Sequence, residues 1–382
     1  MELPTGAATK YLLIGAGTTT KQQPAFERRE MPKKLLKKKT TDEVVEEVLD
    51  AEDREILSRE VDFSKIVSTG STLLDLAISG EVVRGGGLPV GIVVEVYGPS
   101  GSGKTTILSE IAGNIQANGG DVDFKDPEGR YDKRYAEVYG VELETKNYSR
   151  PDTVEELFEG IENWKPNIKK KGAFSAILAD SLAALSTEME MEGGDADAYG
   201  MARGKAFSKG FRKTCRKIAN EDILMVCSNQ EREGPKGKFV PGGNAVPYYS
   251  TVRIRVAIDY QGGKITKSIK FGEKGTKFEE AIGIRSTCLI KKNTAGIPYR
   301  KAPICIIFNY GVDDIRANLQ WCKDISGSDK YNCVDKEYSI MEKAIEYIEN
   351  NNLEDDLKNM TIDLWEQYQE AFKVDRKKKE RK

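Results

Sequence analysis

The sequence predicts an α/β fold: a mainly parallel central sheet covered by helices, extended by antiparallel strands and followed by a small α-rich C-terminal domain. Three observations carry this. Short apolar runs alternate with helical stretches between residues 92 and 228; the runs end in carboxylates, amides or a glycine-rich turn; and shorter β runs take over after residue 250. Continuous apolar strands are those buried on both faces, and strand–helix alternation is the signature of parallel pairing.

Each element has its own warrant. Residues 1–39 lack periodicity and turn basic at Lys33, Lys34, Lys37, Lys38 and Lys39, which reads as a mobile arm. Thr40 and Glu43 form a capping-box pair before Val44, Val45, Val48 and Leu49, predicting a helix to about Ser58. Residues 61–67 alternate as an edge strand does. The core then reads as strands at 92–97, 121–126, 174–180 and 223–228, separated by helices at 105–117, 154–164 and 202–219. Runs at 252–260, 265–271, 286–292 and 302–309 extend the sheet with antiparallel strands, and helices follow at 339–350 and 362–372. The organisation predicted is an arm over 1–39, a helix and linker strand over 40–67, a core over 68–310, and a small domain with a basic tail over 311–382.

Composition removes whole classes of chemistry. The 382 residues contain no histidine, which excludes Ser-His-Asp and Cys-His nucleophiles, His-ligated zinc and every imidazole acid–base mechanism. The 59 Lys and Arg nearly cancel 61 Asp and Glu, so any nucleic-acid site must be a local patch. Six scattered cysteines without a C-x-x-C pair read as reduced core thiols. With no apolar run long enough to span a bilayer and no secretory leader, a cytoplasmic location without membrane partners is expected.

Gly98-Pro99-Ser100-Gly101-Ser102-Gly103-Lys104-Thr105, followed by Thr106, fits the phosphate-binding pattern G-x-x-x-x-G-K-[ST] between a strand and a helix. Glycines let backbone N–H groups close on phosphate oxygens, Lys104 reaches the terminal phosphates of ATP, and the Thr105 hydroxyl ligates Mg2+. Asp180, closing the strand at 174–180, is the second candidate for the Mg2+ shell. Glu128, just past the strand at 121–126, is the best-placed carboxylate to orient and deprotonate water; on residue type alone a solvated loop acid is the commoner case. Two glycine-rich segments, 188–199 and 231–244, follow the third and fourth strands. The second mixes Arg232, Lys236 and Lys238 with Phe239, suited to phosphate contact and base stacking, and composition leaves solvated loops equally open.

Together these residues resemble the bacterial RecA recombinase family. The resemblance rests on Ser68-Thr69-Gly70-Ser71, Gly86-Gly87-Leu88-Pro89-Val90-Gly91 and residues 95–106, then Pro151-Asp152-Thr153, residues 180–185, Asn229-Gln230, Gly242-Gly243-Asn244-Ala245 and Lys292-Asn293. It implies an ATPase core of that type and a helical homo-oligomer on single-stranded DNA that searches double-stranded DNA, with ATP at protomer interfaces. Glu128 resembles the catalytic carboxylate, Tyr135 the aromatic that stacks on adenine with Asp132 beside it, and Gln230 the amide that contacts the γ-phosphate. Lys292 resembles one of two lysines that reach a neighbour's ATP. The implied DNA contacts are Met191, Gly193, Gly194 and Arg203 around the first loop, and Arg232, Lys236, Lys238, Phe239, Gly242, Gly243 and Asn244 in the second. Gly129 and Arg130 depart from what usually follows the catalytic acid, Thr294 replaces the second lysine, the tail is basic rather than acidic, and the N-terminal arm is longer; these mark a divergent member. A ring helicase or regulatory ATPase built on the same core is the alternative. The helix-plus-linker before residue 68 and the Gly242–Ala245 loop favour the filament type.

Overall fold

The computed structural model describes residues 61–193, 199–234, 237–272 and 275–376. The expected arm at 1–39, the helix from Thr40, the tail beyond Arg376, Gly194 and Lys236 lie outside the described residues.

In chain order, β1 (Ile66–Val67) pairs antiparallel with β2 (Leu88–Pro89), and α1 (Thr72–Ser79) lies between them. The strand expected over 61–67 shrinks to β1 because the Asp62 carboxylate accepts from both the N–H and the hydroxyl of Ser64 and turns the chain. Helix α1 was not foreseen. All its residues are buried: its short polar stripe, Thr72, Asp75 and Ser79, bonds to Asp314, Thr69 and the Gly87 carbonyl instead of facing solvent, so eight residues give no solvated face that marks a surface helix.

The core follows as β3 (Val93–Gly98), α2 (Lys104–Ala117), β4 (Asp121–Lys125), α3 (Lys133–Val138), β5 (Tyr148–Ser149), α4 (Val154–Asn163) and β6 (Ser175–Ala179). Next come α5 (Glu188–Met191), α6 (Tyr199–Asn220), β7 (Ile223–Gln230), the short hairpin of β8 (Arg232–Gly234) and β9 (Gly237–Phe239), and α7 (Ala245–Tyr249). Strands β10 (Val252–Ile258), β11 (Lys264–Phe271), β12 (Thr276–Asn293), β13 (Lys301–Ile307) and β14 (Gly311–Val312) complete a ten-stranded sheet. Its order is β14-β13-β12-β10-β3-β7-β6-β4-β5, with β11 paired to β12.

Strands β10, β3, β7, β6, β4 and β5 are mutually parallel. The antiparallel extension therefore begins at β12, not at residue 252 as the sequence suggests. Strand β12 also starts ten residues before 286, at Thr276, because its charged outer half pairs with β11 in an exposed hairpin that lacks an apolar face to read.

Helix α2 buries Ile107, Leu108 and Ile111 against Val94 and Val96 of β3, Phe124 of β4, and Leu224 and Val226 of β7. On the opposite side Phe158 of α4 packs edge-on to Phe211 of α6, centroids 4.9 Å apart. Each such side chain contributes about 1.5–3 kcal/mol on burial. All six cysteines are buried.

Beyond the sheet, α8 (Asp314–Ser326), a hairpin of β15 (Tyr331–Asn332) and β16 (Glu337–Tyr338), α9 (Met341–Asn351) and α10 (Glu354–Glu370) follow. Two helices were expected here and three are present. Helix α10 begins at Glu354 rather than 362, its acidic first turn (Glu354, Asp355, Asp356) matching the positive helix N-terminus while hiding the apolar period. Leu319, Ala344, Ile348 and Leu357 form a small core of their own. The described residues fall within one compact unit, Asp50–Lys382. Among them no helix is long and apolar enough to cross a membrane.

Candidate functional site

Parallel strands end together, so β3, β7, β6 and β4 deliver their last residues to one edge of the sheet. From β3 the chain turns at Gly98 and enters α2 at Lys104 through Gly103, which has φ 97°. Both positions favour glycine: a Cβ on Gly98 would lie 2.0 Å from the Val256 carbonyl oxygen, and Gly103 holds a positive φ that side chains rarely adopt. Ser102 Oγ donates to Pro99 O at 2.9 Å, and Ser286 Oγ donates to Ser102 O at 3.0 Å, bracing the loop from β12. Ser100 and Gly101 form its exposed tip.

Lys104 Nζ donates to Pro99 O (2.8 Å) and Gly98 O (3.2 Å), and burial holds the ammonium below the usual lysine range against the opposing charges of Asp180 and Glu128. Thr105 Oγ1 donates to Asp180 Oδ2 at 2.5 Å, and Ser228 Oγ donates to the other carboxylate oxygen. Burial raises the Asp180 carboxyl, while the two hydroxyls lower it. A hydroxyl and a carboxylate brought together at a phosphate-binding turn are the oxygen donors a hard cation such as Mg2+ takes, so the residues fit that ion. Thr105 and Asp180 would hold it. Among the described residues no larger cluster of His, Cys, Asp or Glu offers another site.

Glu128 reaches the same edge on a turn organised by Asp126. The Gly129 N–H donates to Asp126 O (3.1 Å), while the Tyr131 N–H (2.8 Å) and the Tyr148 hydroxyl (2.7 Å) donate to its Oδ2. Glu128 Oε1 accepts from Ser181 Oγ at 2.7 Å and Gln230 Nε2 at 3.0 Å; Oε2 pairs with Arg130 Nη1 at 3.0 Å. Asp132 caps α3, its Oδ1 accepting from the Tyr135 N–H at 2.8 Å. The Tyr135 hydroxyl sits 3.3 Å from Thr106 Oγ1 and accepts from Tyr139 at 3.1 Å.

Lys104, Thr105, Asp180, Glu128 and Gln230 are thus one linked cluster, as their sequence positions at strand ends suggest. Ser181, Ser228 and Arg130 belong to it too, and their sequence context signals no role for them. Ser181 and Ser228 adjoin a strand end that was read, but nothing in the sequence tells that their hydroxyls face inward. Lys292 lies elsewhere. Its Nζ donates to Pro247 O (3.0 Å) and Tyr248 O (2.8 Å) near the end of α7, and with the exposed Thr294 it lines a separate groove of about 730 Å³.

Next to Gln230 a buried network leads away from the cluster. Asn229 Nδ2 donates to Glu95 Oε1 (3.2 Å) and Pro241 O (2.9 Å). Glu95 is fully buried and pairs with Arg253 Nε at 2.6 Å, whose guanidinium lies 4.6 Å from the Tyr97 ring centroid. Sequence reading missed this network, because Glu95 sits in an apolar strand whose partners come from β7 and β10.

Pro241 borders a cleft of about 860 Å³ lined by Glu190 of the first glycine-rich segment with Gly200 and Arg203 at the start of α6 on one side, and Arg232, Phe239, Gly242, Gly243 and Asn244 of the second segment on the other, with Arg253 at its wall. Arg203 pairs with Glu190 at 3.1 Å. Phe239 is half exposed, Met191 is exposed at the end of α5, and Gly193 follows with φ 80°. Lys238 lies on β9, its side chain outside the described residues. The second segment is in part a hairpin, Arg232 pairing with Phe239, rather than a structureless loop.

Comparison with known proteins agrees with this geometry. Residues 51–313 match the RecA N-terminal domain. The chain is 31% identical to Protein RecA of Symbiobacterium thermophilum over 253 residues, 65% of this chain and 66% of that protein. It is 33% identical to Protein RecA of Thermus thermophilus over 255 residues, 65% of this chain and 69% of that protein. The match spans about two thirds of these relatives' length. With the family's domain matched across most of the chain and its phosphate-binding turn set on a parallel sheet, this protein is a member of the RecA family.

Proposed function

We propose that this chain is an ATP-dependent DNA recombinase that assembles on single-stranded DNA and pairs it with a homologous duplex. The observation that carries the reading is the hydrogen-bonded connection from Glu128 through Gln230 to Asn229 and Pro241, which joins a phosphate-binding cluster to a cleft lined by arginines and an exposed aromatic. A plain ATPase has no use for that cleft, and a plain DNA-binding protein has no use for the cluster.

Lys104 and the N-terminus of α2 neutralise the triphosphate. Thr105 and Asp180 would hold Mg2+, which would supply neutralisation of phosphate charge. Glu128 accepts the proton of the attacking water, and Gln230, bonded to that same carboxylate, senses the γ-phosphate. A shift of Gln230 moves Asn229, the residue before it, and with it Pro241 and the Gly242–Gly243 segment. Arg203, Arg232 and Phe239 contact backbone phosphates and stack on bases, binding that tolerates any sequence. Tyr135 and Asp132 border the base of ATP, and Lys292 completes the site of a neighbouring protomer. The cytoplasm is the setting this work requires.

The test is whether single-stranded DNA stimulates ATP hydrolysis and whether joint molecules then form with homologous duplex. Stimulated hydrolysis without joint molecules assigns the chain to another ATPase class, such as a ring helicase.

A further inference from the structure

We infer that Arg130 is a catalytic cation that exchanges partners: its guanidinium leaves Glu128 for the γ-phosphate of ATP, and so releases Glu128 Oε2 to accept a proton. The inference rests on the ATPase reading above and adds a residue to it.

The division of labour on the Glu128 carboxylate is what points there. Oε1 is committed to two neutral donors, Ser181 Oγ at 2.7 Å and Gln230 Nε2 at 3.0 Å. Those bonds orient the carboxylate and leave Oε2 as the oxygen able to take a proton. Oε2 instead faces Arg130 Nη1 at 3.0 Å. A guanidinium fixed there would block the position that water needs and stabilise the negative charge that must be quenched. Retained in that place, Arg130 opposes hydrolysis.

The two ends of the pair differ in freedom. Glu128 is 17% exposed and held by three donors, whereas the Arg130 side chain is 78% exposed. Among the described residues Glu128 is its one ion-pair partner. The backbone beneath it is fixed: Gly129, at φ 64°, closes the turn with its N–H on Asp126 O, and the Tyr131 N–H is bound to Asp126 Oδ2. A long cation on a fixed root, held by one exposed ion pair, transfers readily to a stronger anion. A terminal phosphate carries more charge than a carboxylate and presents the paired oxygens that suit a guanidinium fork. It would arrive beside Lys104 and Gln230, and Gln230 already shares the Glu128 carboxylate with Arg130.

The step balances. The water oxygen forms a bond to the γ-phosphorus as the bond from that phosphorus to the β–γ bridging oxygen breaks, and its electron pair leaves with ADP. The water proton passes to Glu128 Oε2, and Arg130 neutralises the γ-phosphate oxygens throughout.

The test uses the full chain and two nucleotides, ADP and the slowly hydrolysed analogue ATPγS. Arg130→Ala should bind ATPγS about tenfold more weakly with ADP affinity unchanged, and its turnover on single-stranded DNA should fall about 10²-fold. Arg130→Lys should recover part of both. Glu128→Gln, which no longer holds the guanidinium by charge, should bind ATPγS more tightly than wild type, and that gain should vanish in Glu128→Gln/Arg130→Ala. An Arg130→Ala protein with an unchanged ATPγS-to-ADP affinity ratio, or with turnover equal to or above wild type, would overturn the inference. A wild-type chain that binds both nucleotides without hydrolysing ATP would sink the proposed ATPase, while the affinity ratio would still decide whether Arg130 reads the γ-phosphate.

Discussion

Gln230 Nε2 donates to Glu128 Oε1 at 3.0 Å, so the last residue of β7 and a turn after β4 meet on one carboxylate although 102 residues separate them. The bond ties the carboxylate proposed to accept a proton to the strand that continues into the β8–β9 hairpin.

Glu128→Gln should stop hydrolysis, by roughly 10² to 10⁴-fold, while ATP binding persists. An amide of the same size still accepts from Ser181 and Gln230 but cannot take a proton. Turnover measured beside equilibrium nucleotide binding separates the two functions. Parallel loss of ATP binding would show that the carboxylate holds the fold of the site rather than performing chemistry.

Lys104→Ala should abolish hydrolysis and nucleotide-dependent DNA binding. The buried ammonium rests on the Gly98 and Pro99 carbonyls of its own loop, and in the proposed site phosphate oxygens are the stronger acceptors to which it would turn. Near-normal turnover in the mutant would refute the site.

Much of this was legible in the sequence because it depends on local pattern. Apolar runs that end in Gly98, Asp180 and Gln230 fix both the parallel strands and the edge where the chemistry gathers. What was hidden depends on contacts between distant elements. Glu95 reads as an odd acid in an apolar strand until Arg253 from β10 and Asn229 from β7 are placed around it. Helix α1 is short and turns its polar residues, Thr72, Asp75 and Ser79, to partners inside the protein, and the outer half of β12 has no buried face to alternate against. Arg130 was noticed as a departure, yet its partner became visible only when the Asp126 turn folded it back onto Glu128.

Glu95→Gln should destabilise the protein by about 3 kcal/mol, because it leaves Arg253 without its countercharge in a site where the acid is fully buried. The neutral amide can still accept from Asn229, so the loss reports chiefly on charge. Urea unfolding measures it directly. The same substitution should weaken single-stranded DNA binding, since Arg253 also forms a wall of the cleft. A fully stable variant with weakened DNA binding would separate the two roles; unchanged stability and unchanged binding would remove both.

Lys292 gives a prediction in pH. Burial, helped by the nearby positive charge of Arg253 and opposed by Glu95, lowers its pKa to about 8. Since the unfolded lysine titrates near 10.5, the unfolded chain binds more protons between those values, and the protomer gains stability as pH rises from about 8 toward 10.5. Assembly runs the other way. If the Lys292 ammonium reaches a neighbour's γ-phosphate, that anion raises its pKa, so assembly takes up a proton above pH 8 and weakens as pH climbs. ATP-dependent assembly on single-stranded DNA should therefore be poorer at pH 9 than at pH 7, and Lys292→Ala should flatten that dependence. A cation supplied in trans makes turnover depend on assembly, so Lys292→Ala should also cut DNA-stimulated hydrolysis by roughly 10²-fold or more while the isolated protomer still binds nucleotide. Thr294, exposed beside it, cannot carry charge, and Thr294→Lys should raise turnover by restoring a second cation. Sedimentation with ATPγS across the pH range, read alongside ATPase rates, tests all three. A Lys292→Ala protein that assembles with wild-type pH dependence and hydrolyses ATP normally on single-stranded DNA would leave Lys292 as a cap on the carbonyls of Pro247 and Tyr248 and nothing more.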